Sequence, residues 1–322
     1  MKIIENSRYE DCTLCGLPAN KVLSSELRRG QGLVYYCDVC EHGFLVPMED
    51  FNEKQYYADS YRQEYSHNAE PARTNAREIF DTYQGYQRDR LAIISPYLRD
   101  DLSLLEVGAS SGQFLCNIKN QVALVNAIEL DRDCCSFMQQ ELGIDADFEF
   151  LGSSKFAHKT YDVVCAFQVM EHVVNPVLFL KDLMKAAKKG GTIFVEVPNL
   201  DDPLLSVWDI APYRKFFYHS AHLHYFTGNS LQKIATEAGI LPQNIQLKYT
   251  QDYNLVNHLN WLANGSPQAT CHVGLAEVDF KGANEKIANW LSTELRALNE
   301  KYFSKLVAEK STSNIMMILK NE

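Results

Sequence analysis

The sequence predicts a doubly wound α/β chain, in which a mostly parallel sheet is covered by helices on both faces and preceded by a small four-cysteine module. Three observations predict it. Short apolar runs alternate with helical stretches from about residue 71 onward, a glycine-containing loop follows the first of those runs, and two C-x-x-C pairs stand within the first 40 residues.

The chain has 322 residues, 46% of them apolar and 22% charged. That balance excludes disordered and collagen-like classes, and at roughly 150 residues per domain it suggests about two domains. Acidic residues outnumber basic ones, 41 to 31, for a net charge of −10. This argues against a nucleic-acid partner, whose phosphates are held by Lys and Arg. No run nears the roughly 18 consecutive apolar residues of a membrane span. The opening residues, MKIIENSRYEDC, carry no apolar export core, so the expected location is cytoplasmic.

Residues 1–50 read as a zinc-ribbon-like module. Cys12 and Cys15 form one pair, Cys37 and Cys40 the other, with 21 residues between them. Two such knuckles supply four thiolates to one tetrahedral zinc, a closed and therefore structural site. His42, displaced from the second knuckle, is expected in a loop. The first 70 residues hold 7 basic and 12 acidic residues, the wrong sign for a nucleic-acid-reading finger. Residues 51–70, polar and Tyr-rich, look like a connecting segment.

From 71 to 322 the pattern is that of one α/β domain. Strand candidates lie at 102–107, 123–130, 147–151, 161–169 and 191–197, with helices at 112–120, 132–142 and 176–188. The first strand runs into Glu106-Val-Gly-Ala-Ser-Ser-Gly-Gln-Phe-Leu115. Gly108 permits the tight turn and Gly112 a close ligand approach to the next helix. Glu129 follows 21 residues after Gly108, where an acid can accept hydrogen bonds from both ribose hydroxyls. Ser110 occupies the middle position of the loop, where a pyrophosphate-binding loop needs glycine, and Glu106 can meet an ammonium group. Both details favour S-adenosyl-L-methionine over a dinucleotide.

These motifs carry a resemblance across nearly the whole chain. With both C-x-x-C pairs, the E-V-G-A-S-S-G-x-F-L loop, F-Q-V-M-E-H-V after the fourth strand and H-L-H-Y-F-T at 222–227, it resembles class I S-adenosylmethionine-dependent methyltransferases with an N-terminal zinc-ribbon-like module. The resemblance implies a seven-stranded Rossmann-like methyltransferase sheet ending in an antiparallel hairpin, for which 244–250 and 314–320 can supply the strands. By it, Glu106, Gly108, Ala109, Ser110 and Gly112 hold the methionine and ribose portions of the cofactor, and Glu129 the ribose. Leu130 flanks the adenine and Gln168 lies beside the cofactor. The adenine-side segment after the third strand, LGSSKFAHKT, carries only a weak signature.

Residues 251–312 then form a helical insertion before the last strand. Within it Ile287, Leu291, Leu295, Leu298, Tyr302 and Leu306 recur at helical spacing over 284–309. This stripe packs on its own domain or, in the alternative reading, forms a homodimer interface.

Methyl transfer to a hydroxyl needs in-line geometry and a group to take the proton. His172 is the best-placed base, against a structural reading of the Glu171–His172 pair. His222 and His224, with His219, lie in a segment able to cover an acceptor, against ordinary loop packing. Arg214 and Lys215 suit the phosphate of a nucleotide-sugar, or are simply solvated charges. The expected activity is methylation, on oxygen, of a small-molecule acceptor of sugar, polysaccharide or secondary-metabolite pathways. A ribosomal RNA methyltransferase with a zinc module and a non-catalytic cofactor-binding scaffold are the alternatives.

Overall fold

The structure, a computed structural model, describes residues 4–28, 31–46, 54, 56, 57 and 75–322. Most of the expected connecting segment 51–70 lies outside the described residues. In chain order the first sheet opens with β1 (Ile4–Asp11), β2 (Pro18–Glu26), β3 (Gln31–Cys37) and β4 (His42–Leu45). After α1 (Ala76–Tyr83) and α2 (Arg88–Ile94), strands and helices alternate: β5 (Ser103–Val107), α3 (Gln113–Ile118), β6 (Leu124–Ile128), α4 (Arg132–Glu141), β7 (Asp145–Asp147), β8 (Tyr161–Phe167), α5 (Pro176–Ala186) and β9 (Ala187–Pro198). Then come α6 (Pro203–Ser206), α7 (Ala211–Phe217), β10 (His224–Tyr225), α8 (Gly228–Glu237), β11 (Ile245–Thr250), α9 (Leu255–Asn264), α10 (Cys271–Leu275), α11 (Glu285–Ala308) and β12 (Asn314–Lys320).

The larger sheet has seven strands in the order β11-β12-β9-β8-β5-β6-β7. Neighbours from β9 to β7 pair in parallel, whereas β12 runs antiparallel to both β9 and β11. A parallel sheet buried on both faces takes continuous apolar strands rather than alternating ones. β5 shows why: consecutive Leu104 and Leu105 are both fully buried, one in each of the two cores that flank the sheet. Helix starts are locally encoded. Asp131 accepts from Cys134 N at the start of α4, Asn175 with Pro176 opens α5, and Thr227 and Ser230 form a capping box on α8.

The third strand is displaced from its expected place at 147–151. β7 ends at Asp147, and Phe148 and Phe150 stand more than a third exposed. As the sheet's edge strand it has one partner only, β6, and it pairs for three residues. Phe148 instead lies under the Arg132 guanidinium, 4.5 Å from its ring centre.

The N-terminal strands form an antiparallel sheet that does not close on itself. β10, from the far side of the sequence, adds to β4 through His224–Phe44 and Tyr225–Gly43. Leu23, Leu27, Val34 and Leu45 share one core with Leu200, Leu205, Phe217 and Tyr225. His42 is therefore not a loop residue. It lies fully buried on β4, with Nε2 3.0 Å from His224 Nδ1 and its ring against Phe226.

α11 matches the expected 284–309 helix, but its apolar stripe does not pack evenly. Leu306 is buried and Tyr302 bonds Trp208 Nε1, whereas Ile287, Leu291 and Leu298 remain exposed. Among the described residues no helix is long and apolar enough to cross a membrane.

His42→Ala removes a buried hydrogen bond and leaves a void beside Phe44 and Phe226. We expect a loss of about 2–4 kcal/mol, read as a melting temperature lower by roughly 5–10 °C. An unchanged melting temperature would show that the contact between β4 and β10 carries no stability.

Candidate active site

A cavity of about 1300 Å³ opens at the carboxyl ends of the parallel strands, where doubly wound sheets bind ligands. Its wall begins at the loop after β5. Gly108 has φ +77°, and a Cβ there would meet Val169 Cγ2 at 2.2 Å, so only glycine fits the turn. Ser110 adopts φ +50° without being glycine. Its amide donates to Glu129 Oε2 at 2.7 Å, while Asp131 N donates to Oε1 at 2.9 Å. The acid after β6 is thus held by two backbone amides and keeps lone pairs for a further donor.

Glu106, Gly108, Ala109, Ser110, Glu129, Leu130 and Gln168 all line this cavity. Gly112 does not. At the N-cap of α3 with φ +79°, its missing side chain makes room for Met138 and Leu142. Its place is in helix–helix packing rather than in ligand approach.

Glu106 is 3% exposed, and its Oε2 has no hydrogen-bond partner among the described residues. Burial pushes its carboxyl up to about 8, against the pull of Arg90 and with the help of Glu129 and Glu196. Nearby, Arg90 is paired with Glu196, Nε at 3.0 Å and Nη2 at 2.5 Å from Oε1. Gln168 Nε2 donates to the same oxygen at 3.1 Å and to Asn314 Oδ1 at 3.2 Å. Sequence reasoning missed Arg90 and Glu196. The signal was present, since a carboxylate in the apolar run of β9 and an arginine on a short apolar helix both demand partners.

His172, His219 and His222 also line this cavity. His172 Nδ1 donates to Ala221 O at 2.9 Å, and its Nε2 lies 3.8 Å from Glu171 Oε1. His222 Nε2 stands 3.9 Å from that same oxygen, and the two rings meet edge-to-face. Burial lowers His172 to about 4, its bond to Ala221 notwithstanding, and drives His222 well below the usual histidine range, with His219, His172 and Arg28 adding to the effect. Both imidazoles are therefore neutral at neutral pH. His224, expected beside them, is not. It does not line the cavity, because pairing in β10 turns its ring onto His42. Arg28, from the end of β2, also reaches the cavity and lies over the Phe216 ring.

The four cysteines of the module gather with their sulfurs within 4.8 Å of one another, and all four are free. Cys15 and Cys37 Sγ are 3.7 Å apart, far beyond the roughly 2.05 Å of a disulfide. Such a group of thiols matches the donor set of a closed tetrahedral metal site.

A family model described as "Methyltransferase domain" matches residues 77–240. The chain belongs to this methyltransferase-domain family. The match spans β5 to α8 and so takes in both walls of the cavity. Two curated relatives, each named "Ubiquinone biosynthesis O-methyltransferase", come from Parvibaculum lavamentivorans and Maricaulis maris. They are 27% identical to this methyltransferase-domain chain over 105 and 106 residues. Each match covers 31% of this chain and 42% of the relative, so the chain spans less than half the length of the curated relatives it matches. Among solved structures, a SAM dependent methyltransferase from Archaeoglobus fulgidus aligns at 17% identity, over 76% of this chain and 96% of its own, with a TM-score of 0.46.

Proposed function

We propose that the chain transfers a methyl group from S-adenosyl-L-methionine to an oxygen of a small-molecule acceptor. The observation that carries the reading is the buried carboxylate of Glu106, one oxygen of which has no partner among the described residues, at the glycine loop inside the matched domain. S-adenosyl-L-methionine carries two positive charges, an ammonium and a sulfonium, and the acids at this end of the cavity suit it. Bound there, it supplies an electrophilic methyl carbon whose bond to sulfur breaks as the acceptor oxygen attacks, the electron pair staying on sulfur.

The residues divide the work. Glu106 takes the ammonium, Glu129 the ribose hydroxyls, Leu130 the adenine flank, and Gln168 stiffens the wall by tying Glu196 to Asn314. His172 and His222 face the acceptor, and their neutral imidazoles receive the hydroxyl proton that must leave. The named oxygen specificity of the two curated relatives supports an O-methylation. The resemblance to sugar, polysaccharide and secondary-metabolite enzymes, with Arg28 at the cavity, supports an acceptor that is polar or anionic, such as a sugar or nucleotide-sugar. Residues 1–50 act as a structural zinc module on the methyltransferase domain 71–322, in a cytoplasmic enzyme.

Three measurements test this. Incubating the protein with methyl-labelled S-adenosylmethionine and an extract of its source should put label in the small-molecule pool. His172→Ala and His222→Ala should each lower that incorporation by about 10²–10⁴-fold with cofactor affinity nearly unchanged. Label in RNA or protein would overturn the small-molecule reading, and an unaltered rate in both variants would remove the histidines from the mechanism.

Cofactor affinity should also depend on pH through Glu106. Below about 8 the empty site holds this carboxyl protonated, so binding an ammonium must first release a proton. Calorimetry should show Kd falling up to about tenfold from pH 6 to 7, where the cofactor's own amine stays charged. Glu106→Gln should bind more weakly with a flat profile, and a sloping profile in that variant would assign the titration elsewhere.

Elemental analysis tests the module. Cys37→Ser should contain one equivalent of zinc less than the wild type and should melt at lower temperature. Equal zinc in both proteins would refute the four-thiolate site.

A further inference from the structure

We propose that Glu171, His172 and His222 form a second metal site, which holds one divalent transition-metal ion in the wall of the cavity. Each residue offers one ligand atom, and the three atoms lie within 4.8 Å of one another.

Glu171 supplies the first reason. It is 1% exposed, and neither carboxylate oxygen has a hydrogen-bond partner among the described residues. A buried carboxylate is retained when it is paired or bound to a metal. Two imidazole nitrogens stand 3.8 and 3.9 Å from its Oε1. These distances are too long for hydrogen bonds. Ligand atoms around a tetrahedral ion at about 2.0–2.1 Å stand roughly 3.4 Å apart, so each imidazole needs to approach Glu171 by only about half an ångström to share an ion with it.

The second reason is the orientation of His172. Its Nδ1 donates to Ala221 O, which fixes the tautomer and turns the Nε2 lone pair toward Glu171. A backbone carbonyl on the far nitrogen is the usual second partner of a metal-bound histidine. Backbone bonds then hold the ligands together: Leu223 N and His224 N both donate to Glu171 O, at 2.8 and 3.1 Å, and so fix the segment carrying His222 against the loop carrying Glu171 and His172.

The donor set selects the ion. Two imidazole nitrogens and one carboxylate oxygen suit zinc, iron, cobalt or nickel, whereas magnesium and calcium take oxygen cages. Only three protein ligands are present, and both histidines line the cavity, so the remaining coordination positions face the acceptor. That is the pattern of a catalytic rather than a structural site. Arg28 adds positive charge next to the histidines, which favours an anionic oxygen as the next ligand. With an ion bound, the two imidazole lone pairs are committed to it. The ion then takes over from the histidines by acidifying an acceptor hydroxyl much as zinc acidifies water, by several pKa units, so that the proton leaves to solvent. The site itself stands on the cluster's geometry, while this catalytic role rests on the methyl-transfer reading.

Cobalt(II) is the probe. The full chain, with zinc in its thiolate module, is titrated with cobalt(II) and followed by equilibrium dialysis and by the visible d–d absorption of nitrogen–oxygen coordination. The wild type should take up one equivalent beyond the module's metal. Glu171→Gln and His222→Gln should each weaken that uptake at least about 100-fold and lose the bands, while Cys37→Ser should keep them. Circular dichroism establishes that the variants are folded, and two positions guard against either one misfolding. No second equivalent in the wild type, or undiminished uptake in both ligand variants, overturns the site. Uptake as expected with no labelled product from any acceptor would leave the metal site standing and refute the methyl-transfer reading instead.

Discussion

The Arg90–Glu196 pair sets the electrostatics of the cavity, and the rest of the site depends on it. Glu196 is 4% and Arg90 23% exposed on the side chain, so neither charge is bearable without the other, and breaking such a pair costs about 3–5 kcal/mol. The pair is also fixed at its edges, by Gln87 Oε1 on Arg90 and by Gln168 Nε2 on Glu196. With Glu196 paired in this way, Arg90 still pulls on Glu106 but does not outweigh its burial. Burial, Glu129 and Glu196 then keep that carboxyl high. The protein thus builds a cavity end short of positive charge and leaves the deficit for a cationic ligand to fill.

The same logic distinguishes the two walls. At the loop after β5 the unmatched group is an acid alone, which asks for an ammonium. At the loop after β8 the unmatched acid, Glu171, is accompanied by two imidazoles whose burial holds them neutral. Neutral imidazoles leave the carboxylate uncompensated, since only a charged one would balance it. They do, however, keep lone pairs that a metal can take. One kind of deficit lies at each of two loops of a single cavity, and on the methyl-transfer reading proposed above this separates cofactor binding from acceptor chemistry within a few strands of one sheet.

What could be read from the sequence was what is local in the chain. The loop Gly108–Gly112, Glu129 at its fixed distance and the long helix at 285–308 all depend on neighbours within about 20 residues. What could not be read depends on partners far away. Arg90 and Glu196 lie 106 residues apart, and neither shows its partner. His224 looked equivalent to His222 because both sit in one histidine-rich segment. They part company only because β10 exists through pairing with β4, some 180 residues upstream, and that pairing hands His224 to His42. The third strand failed for a related reason. Phe148 and Phe150 have strand-like alternation with their neighbours, but at a sheet edge nothing lies beyond to extend the pairing.

The pairing of β10 ties the N-terminal module to the cavity by a second route besides Arg28. β4 fixes His224 and Tyr225, Leu223 N and His224 N grip Glu171 O, and Leu45 N donates to Leu223 O. The segment between β10 and α7 is therefore held from both sides, by the module and by the loop after β8. His222 lies within it, and its position relative to His172 is only as good as those backbone bonds. A free loop would pay the entropy of ordering each time the acceptor bound. Here the module keeps that order permanently in place, and a knuckle of cysteines more than 180 residues away in sequence becomes part of how the two histidines meet.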